Sequence, residues 1–153
     1  MSNQTLSDTE LILIVEDNPI DYEMTVRAFK KTGIQNPIFR CEDGDDALDF
    51  LYRRGKYQDN KETDRPVLII LDLNLPGTDG KEVLTQIKAD SNLRAIPVII
   101  LTTSNNEKDI NFCYQHGSNC YLQKPVGIDD FVDTINKLKA FWFNTVIISK
   151  EIG

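Results

Sequence analysis

Three uninterrupted apolar runs, at residues 11–15, 67–71 and 97–101, constrain this chain more than any other feature. A strand with one wet face alternates apolar and polar residues, whereas a strand covered on both faces is apolar throughout. These runs therefore read as buried strands of a parallel sheet. Shorter strands are expected at 38–41 and 120–122. The segments between the runs have helical spacing. Asn18 and Pro19 suit the N-cap and first turn of a helix that carries Tyr22, Val26 and Phe29 on one face and ends near Gly33. Residues 45–54 carry Ala47, Leu48 and Leu51. A turn at 76–80 leads into a helix with Val83, Leu84 and Ile87. Residues 105–116 carry Ile110, Cys113 and Tyr114, and 128–143 carry Phe131, Ile135, Leu138 and Trp142. Residues 55–66 are polar and read as a loop. The expectation is an α/β fold: a five-stranded parallel sheet with five alternating helices, doubly wound through right-handed crossovers.

In such a sheet the functional groups gather beyond the carboxyl ends of the strands, near the topological switch point. The first run ends in Glu16-Asp17, the third strand in Asp72-Leu73-Asn74, the fourth in Thr102-Thr103-Ser104 and the fifth in Lys124-Pro125. One sheet edge then holds three carboxylates, a hydroxyl and an ammonium. Carboxylates about 4 Å apart repel by roughly 4 kcal/mol per pair at an effective dielectric near 20. A hard cation relieves that repulsion, and an all-oxygen donor set suits Mg²⁺. A cation with Lys124 and Thr102 beside it is what phosphoryl transfer requires, with a carboxylate as nucleophile. Taken singly, each of these residues reads as an ordinary loop or strand-end side chain; their joint occurrence at successive strand ends carries the signal.

Composition narrows the class further. With 153 residues, 41% hydrophobic and 27% charged, the chain is the size of one soluble domain, and no apolar run is long enough to span a bilayer. The net charge of −7 argues against direct nucleic-acid binding, which needs clustered Lys and Arg. Cys41, Cys113 and Cys120 form no C-x-x-C pair and read as reduced, packed thiols of a cytoplasmic protein.

The motifs I-V-E-D-N-P (14–19), I-I-L-D-L-N-L-P-G-T-D-G (69–80), P-V-I-I-L-T-T-S (97–104) and Y-L-Q-K-P (121–125) resemble those of response regulator receiver domains of two-component systems. The likeness runs over about residues 11–143 and implies a flavodoxin-like receiver fold. By position it makes Asp72 the phosphoacceptor. Glu16, Asp17, Asp72 and the Asn74 carbonyl become the Mg²⁺ ligands. Thr102 resembles the switch hydroxyl, Lys124 the phosphate-binding lysine and Tyr121 the aromatic that follows the switch. The family's Lys-Pro bond is typically cis, which implies the same for Lys124–Pro125. Asn74, Thr103 and Ser104 occupy positions that tune the acyl-phosphate lifetime, Thr103 being bulkier than the residue often found there. A narrower likeness is to small bacterial regulators paired with phytochrome kinases, which implies a sensor histidine kinase as partner.

The resemblance divides the chain into a flexible N-terminus (1–10), a receiver domain (11–143) and a C-terminal extension (144–153). No output domain is expected, so the message passes through partner binding or self-association. Phe141, Trp142 and Phe143, with Val146, Ile147 and Ile148 beyond them, are candidates for a homodimer interface; the alternative is that Trp142 caps the core. Two other readings fit less well. Aspartyl-phosphate hydrolases need a second acid two residues after the nucleophile, where this chain has Asn74. A nucleotide-binding flavodoxin-like module needs a Gly, Ser or Thr loop after the first strand, where it has Glu16-Asp17-Asn18.

Overall fold

The computed structural model describes residues 3–4, 9–61, 64–143 and 148–149. Five parallel strands form the central sheet: β1 (Ile12–Val15), β2 (Ile38–Cys41), β3 (Leu68–Leu71), β4 (Val98–Thr102) and β5 (Cys120–Gln123), in the order β2-β1-β3-β4-β5. Five helices alternate with them: α1 (Pro19–Lys31), α2 (Gly44–Tyr52), α3 (Gly80–Ala89), α4 (Glu107–Gln115) and α5 (Ile128–Leu138). The expected α/β architecture is therefore present, with element ends displaced by a residue or two. The loop expected over 55–66 holds a short 3-10 turn, Gly55–Tyr57. The helix expected to reach Phe143 leaves α-geometry after Leu138 and finishes as a π-turn, Lys139–Phe143.

The continuous apolar runs are explained by burial on both faces. Leu13, Val15, Ile69, Leu71, Val98 and Ile100 point into one core, under α2, α3 and α4. Their neighbours Ile12, Ile14, Leu68, Ile70, Ile99 and Leu101 point into the other, under α1 and α5. Trp142 is 7% exposed and belongs to this second core, so it caps the core rather than standing free at an interface. Phe141, next to it, is 55% exposed. The side chain of Phe143, together with Val146 and Ile147, lies outside the described residues, as do most of 1–10 and 144–153. Among those that are described, Asn3–Gln4 pairs antiparallel with Ile148–Ser149. No described helix is long and apolar enough to cross a membrane. Burial also holds the Cys41 and Cys113 thiols above their ordinary pKa, consistent with packed, unreactive cysteines.

Short polar caps start the helices that follow the functional strand ends. Asn18 Oδ1 accepts from Ile20 N at 2.9 Å and Asp21 N at 3.2 Å, and Asp79 Oδ1 accepts from Glu82 N at 3.0 Å. The sheet changes winding direction between β1 and β3, whose ends carry Glu16-Asp17 and Asp72. No cis peptide bond occurs among the described residues, so Lys124–Pro125 is trans, contrary to the family trait expected for it. Trans is the form an X-Pro bond intrinsically favours, by about 0.5–1 kcal/mol.

Gly80 fixes how α3 approaches the end of β3. Its N–H donates to the Leu73 carbonyl at 3.0 Å. A Cβ built on it would stand 2.2 Å from the Asp72 carbonyl oxygen and 2.6 Å from Leu73 Cα, both backbone atoms that cannot swing aside. Helix propensity alone makes Gly→Ala stabilising by roughly 1 kcal/mol. We expect the opposite sign for Gly80→Ala, a loss of about 1–3 kcal/mol from overpacking. Urea denaturation measures it, and an Ala variant as stable as the parent would contradict the close approach.

Candidate functional site

Each strand end presents its side chain through a backbone link to its neighbour. Glu16 N–H donates to Cys41 O at 3.0 Å, Asp72 N–H to Val15 O at 3.1 Å, and Lys124 N–H to Thr102 O at 2.6 Å. These links carry the ladder one step past the strands, so Glu16, Asp72, Thr102 and Lys124 lie along a single edge. Glu16 and Asp72 are buried, Thr102 is fully buried, and Asp17 is exposed.

Lys124 is the centre of the cluster. Its ammonium donates to Glu16 Oε1 at 2.7 Å, to Asp72 Oδ2 at 2.8 Å and to Asp21 Oδ2 at 2.9 Å. The other oxygens of Glu16 and Asp72 are also used: Asn18 N–H donates to Glu16 Oε2 at 3.2 Å and Asn74 N–H to Asp72 Oδ1 at 3.2 Å. Burial and the neighbouring Asp72 push the Glu16 carboxyl up to about 7, although Lys124 opposes the shift. Burial works against the charge of Lys124 too, but Asp72, Glu16 and Asp21 outweigh it and hold the ammonium above its usual range. Oxygen atoms of Glu16, Asp17 and Asp72 all lie within 4.8 Å of one another. That close, all-oxygen donor set fits a hard divalent cation.

The other residues singled out in the sequence form a second layer. Thr102 Oγ1 accepts from Ser104 N at 3.5 Å, and the Tyr121 hydroxyl donates to the Ser104 carbonyl at 2.9 Å. Ser104 Oγ in turn donates to Asp109 Oδ2 at 2.6 Å, and Asp109 is ion-paired to Lys81 of α3. Asn74 and Thr103 are exposed. Asn74 borders a shallow cleft of about 440 Å³ with Leu73, Leu75, Asp79, Lys81 and Asp109. Phe141 and Trp142 stand apart from this edge. With Cys120 and Leu122 they line a cleft of about 370 Å³ beside β5.

Two contributors were not legible beforehand. Asp21 sits in the first turn of α1, where a carboxylate is ordinarily explained by the helix dipole. Its only local signal is that it lies one turn from the acidic pair. Arg40 is the other. Its guanidinium donates to the backbone carbonyls of Glu16 at 3.1 Å and Asp17 at 3.3 Å, and it packs over the Tyr22 ring at 4.6 Å. An arginine inside a strand-like run, opposite Ile14 in the register, was the available clue.

Replacing Lys124 by Met should expose how much the cluster depends on this cation. Removing one partner of a buried ion pair costs about 3–5 kcal/mol. We expect a loss of that order for Lys124→Met at pH 8 in EDTA, by chemical denaturation. A carboxyl whose pKa is raised by folding binds more protons folded than unfolded. The loss should therefore shrink as pH falls through 7 toward the unfolded carboxyl value, and shrink likewise on adding Mg²⁺. A deficit independent of both would contradict the charge argument.

Comparison with known proteins gives the family of this chain. Residues 12–136 match the family model described as response regulator receiver domain. The response regulator Rcp1 of Synechocystis sp. is 39% identical over 139 residues, covering 91% of this chain and 92% of Rcp1. The crystal structure of the Mn²⁺-bound form of Rcp1 superposes with a TM-score of 0.83 at 38% identity, covering 92% of this chain and 99% of that one. The phosphorylated cyanobacterial phytochrome response regulator RcpA gives 0.85 at 35% identity, covering 93% and 99%. With its sheet order, its acidic strand ends and a match that runs almost end to end, the chain belongs to the response regulator receiver domain family.

Proposed function

We propose that Asp72 accepts a phosphoryl group from a phosphohistidine of a partner histidine kinase. The observation that carries this reading is the buried Asp72 carboxylate hydrogen-bonded to Lys124 at 2.8 Å inside a compact acidic cluster. In the transfer, an Asp72 oxygen forms the O–P bond as the P–N bond to the imidazole breaks, and the nitrogen keeps the electron pair. Hydrolysis reverses the gain: water oxygen bonds to phosphorus, inorganic phosphate leaves and the Asp72 carboxylate is restored. Lys124 lies where it can donate to a phosphoryl oxygen, and Thr102 supplies a hydroxyl donor at the adjacent strand end. Glu16, Asp17, Asp72 and the backbone carbonyl of Asn74 would hold Mg²⁺. When bound, that ion offsets charge developing on the phosphoryl oxygens.

The conformational readout runs through Thr102 and Tyr121. Once Thr102 turns to the phosphoryl group, the space it leaves admits Tyr121, and the face formed by α4, β5 and α5 changes. Asn74, Thr103 and Ser104 set the lifetime of the acyl phosphate. Asn74 and Thr103 are exposed beside the site, while the hydroxyl of Ser104 is engaged by Asp109. Likeness to a phytochrome response regulator supports a phytochrome-type sensor kinase as the partner. The protein works in the cytoplasm and has no direct role in nucleic-acid binding. Self-association is the proposed output, and Phe141 is its apolar anchor: it is exposed, whereas Trp142 is committed to the core.

Incubation with acetyl phosphate and Mg²⁺, followed by intact mass, tests the central step. The parent should gain one phosphoryl group, and neither Asp72→Asn nor a sample in EDTA should. No gain in the parent would end the proposal. In the same assay the phosphoryl group should be lost several-fold faster from Thr103→Ala, since a smaller side chain opens the path of the attacking water; an unchanged decay rate would remove Thr103 from the tuning set. Sedimentation tests the dimer: the parent should self-associate, more so when phosphorylated, and Phe141→Ser should weaken it. A monomer at high concentration in both states would refute it.

A further inference from the structure

Lys124 is held by one carboxylate more than the acidic cluster itself supplies. An ammonium has three N–H donors, and Glu16 and Asp72, both in the acidic cluster, account for two of them. The third goes to Asp21 Oδ2 at 2.9 Å, from helix α1. Asp21 is not one of the residues whose oxygens converge within 4.8 Å as a cation site. Its backbone is fixed on both sides: its N–H donates to the Asn18 cap at 3.2 Å, and its carbonyl accepts from Thr25 Oγ1 at 2.9 Å. The side chain is 27% exposed, whereas that of Lys124 is 5% exposed.

We propose that Asp21 is a positioning residue for phosphoryl transfer, which occupies the third N–H of Lys124 and so turns another N–H toward Asp72. This rests on the reading of Asp72 as phosphoacceptor. A lysine ammonium is a point charge on a flexible four-carbon stem, with three equivalent donors that one acceptor does not orient. Acceptors on the ends of β1 and β3 and on α1 triangulate it from three elements. The ammonium is then already placed when the phosphoryl group arrives, and its ordering is not an added cost of the transfer.

Two effects of Asp21 oppose each other, which makes the idea testable. As a hydrogen-bond acceptor it fixes Lys124 and speeds transfer. As a negative charge it weakens the pull of Lys124 on an anionic group and slows transfer. The geometry favours the first, since Asp21 touches the ammonium directly while the phosphoryl group would lie beyond it.

The test follows the rate of mass gain of the full chain with acetyl phosphate and Mg²⁺. Here an Asp72 oxygen bonds to phosphorus, the P–O bond to the acetyl group breaks, and acetate leaves with the electron pair. Asp21→Ala should be slower by roughly tenfold, the size expected when a charge-assisted hydrogen bond is partly replaced by water. Asp21→Asn keeps an oxygen acceptor without the charge and should recover most of that loss. If the Ala variant does not fold by circular dichroism, Asp21→Ser, whose hydroxyl falls short of Lys124, takes its place and should be equally slow. An Asp21→Ala rate equal to or above that of the parent overturns the proposal. So does an Asp21→Asn rate as low as that of Asp21→Ala, because a hydrogen-bond acceptor at this position would then do nothing to place Lys124. A parent that gains no mass defeats the phosphoacceptor reading itself, a result distinct from either.

Discussion

Mutual repulsion among Glu16, Asp17 and Asp72, whose oxygens lie within 4.8 Å of one another, is the constraint around which this structure is arranged. The Lys124 ammonium relieves it by donating to Glu16 and Asp72. Carboxylates this close repel by several kcal/mol per pair, a large fraction of the 5–15 kcal/mol that usually holds a domain folded. The two apolar layers on the faces of the sheet supply the rigidity that keeps them together. A parallel sheet suits this purpose because every strand ends at the same edge. Each residue just past a strand can then be tied to its neighbour by one more backbone hydrogen bond, as Glu16, Asp72 and Lys124 are. The charged cluster is thus suspended from the ends of strands buried on both faces.

Strands covered on both sides announce themselves, which is why the sheet and the strand-end cluster were legible without coordinates. Residues 11–15 and 67–71 contain no polar residue, so no other arrangement buries them as well. The members of the cluster contributed by strand ends could be listed for the same reason. What escaped were side chains that reach the site from elsewhere. Asp21 looks like a helix-dipole residue until α1 is packed on the sheet, and Arg40 looks like a misplaced polar residue until β2 lies beside β1. Sequence periodicity locates a residue on its own element but says little about where a long side chain ends.

The C-terminal region shows the same limit. Phe131, Ile135, Leu138 and Trp142 have helical spacing, and the structure buries all four in one layer. Yet the backbone changes from α-helix to π-turn after Leu138. Lys139, at that junction, donates from Nζ to the Thr32 carbonyl at 2.7 Å, near the end of α1. Spacing records which residues face the core; it does not record a change in helical winding that preserves that facing. Trp142 and Phe141 consequently part company, one filling the core and the other left to water.

Ser104 is where the site meets the rest of the molecule. Its N–H reaches Thr102 Oγ1, its carbonyl accepts from Tyr121, and its hydroxyl donates to Asp109, which is paired with Lys81. One loop residue therefore bears on the end of β4, on β5, on α4 and, through Asp109, on α3. Under the proposed mechanism, a Thr102 hydroxyl that turns to a phosphoryl group gives up the Ser104 N–H. The carbonyl on the same residue is the partner of Tyr121, so a local rearrangement there alters the aromatic's hydrogen bond without any long chain of contacts. The carboxylate cluster holds charge at the sheet edge, and the loop that carries Ser104 beside it is the place where a change in that charge can become a change in shape.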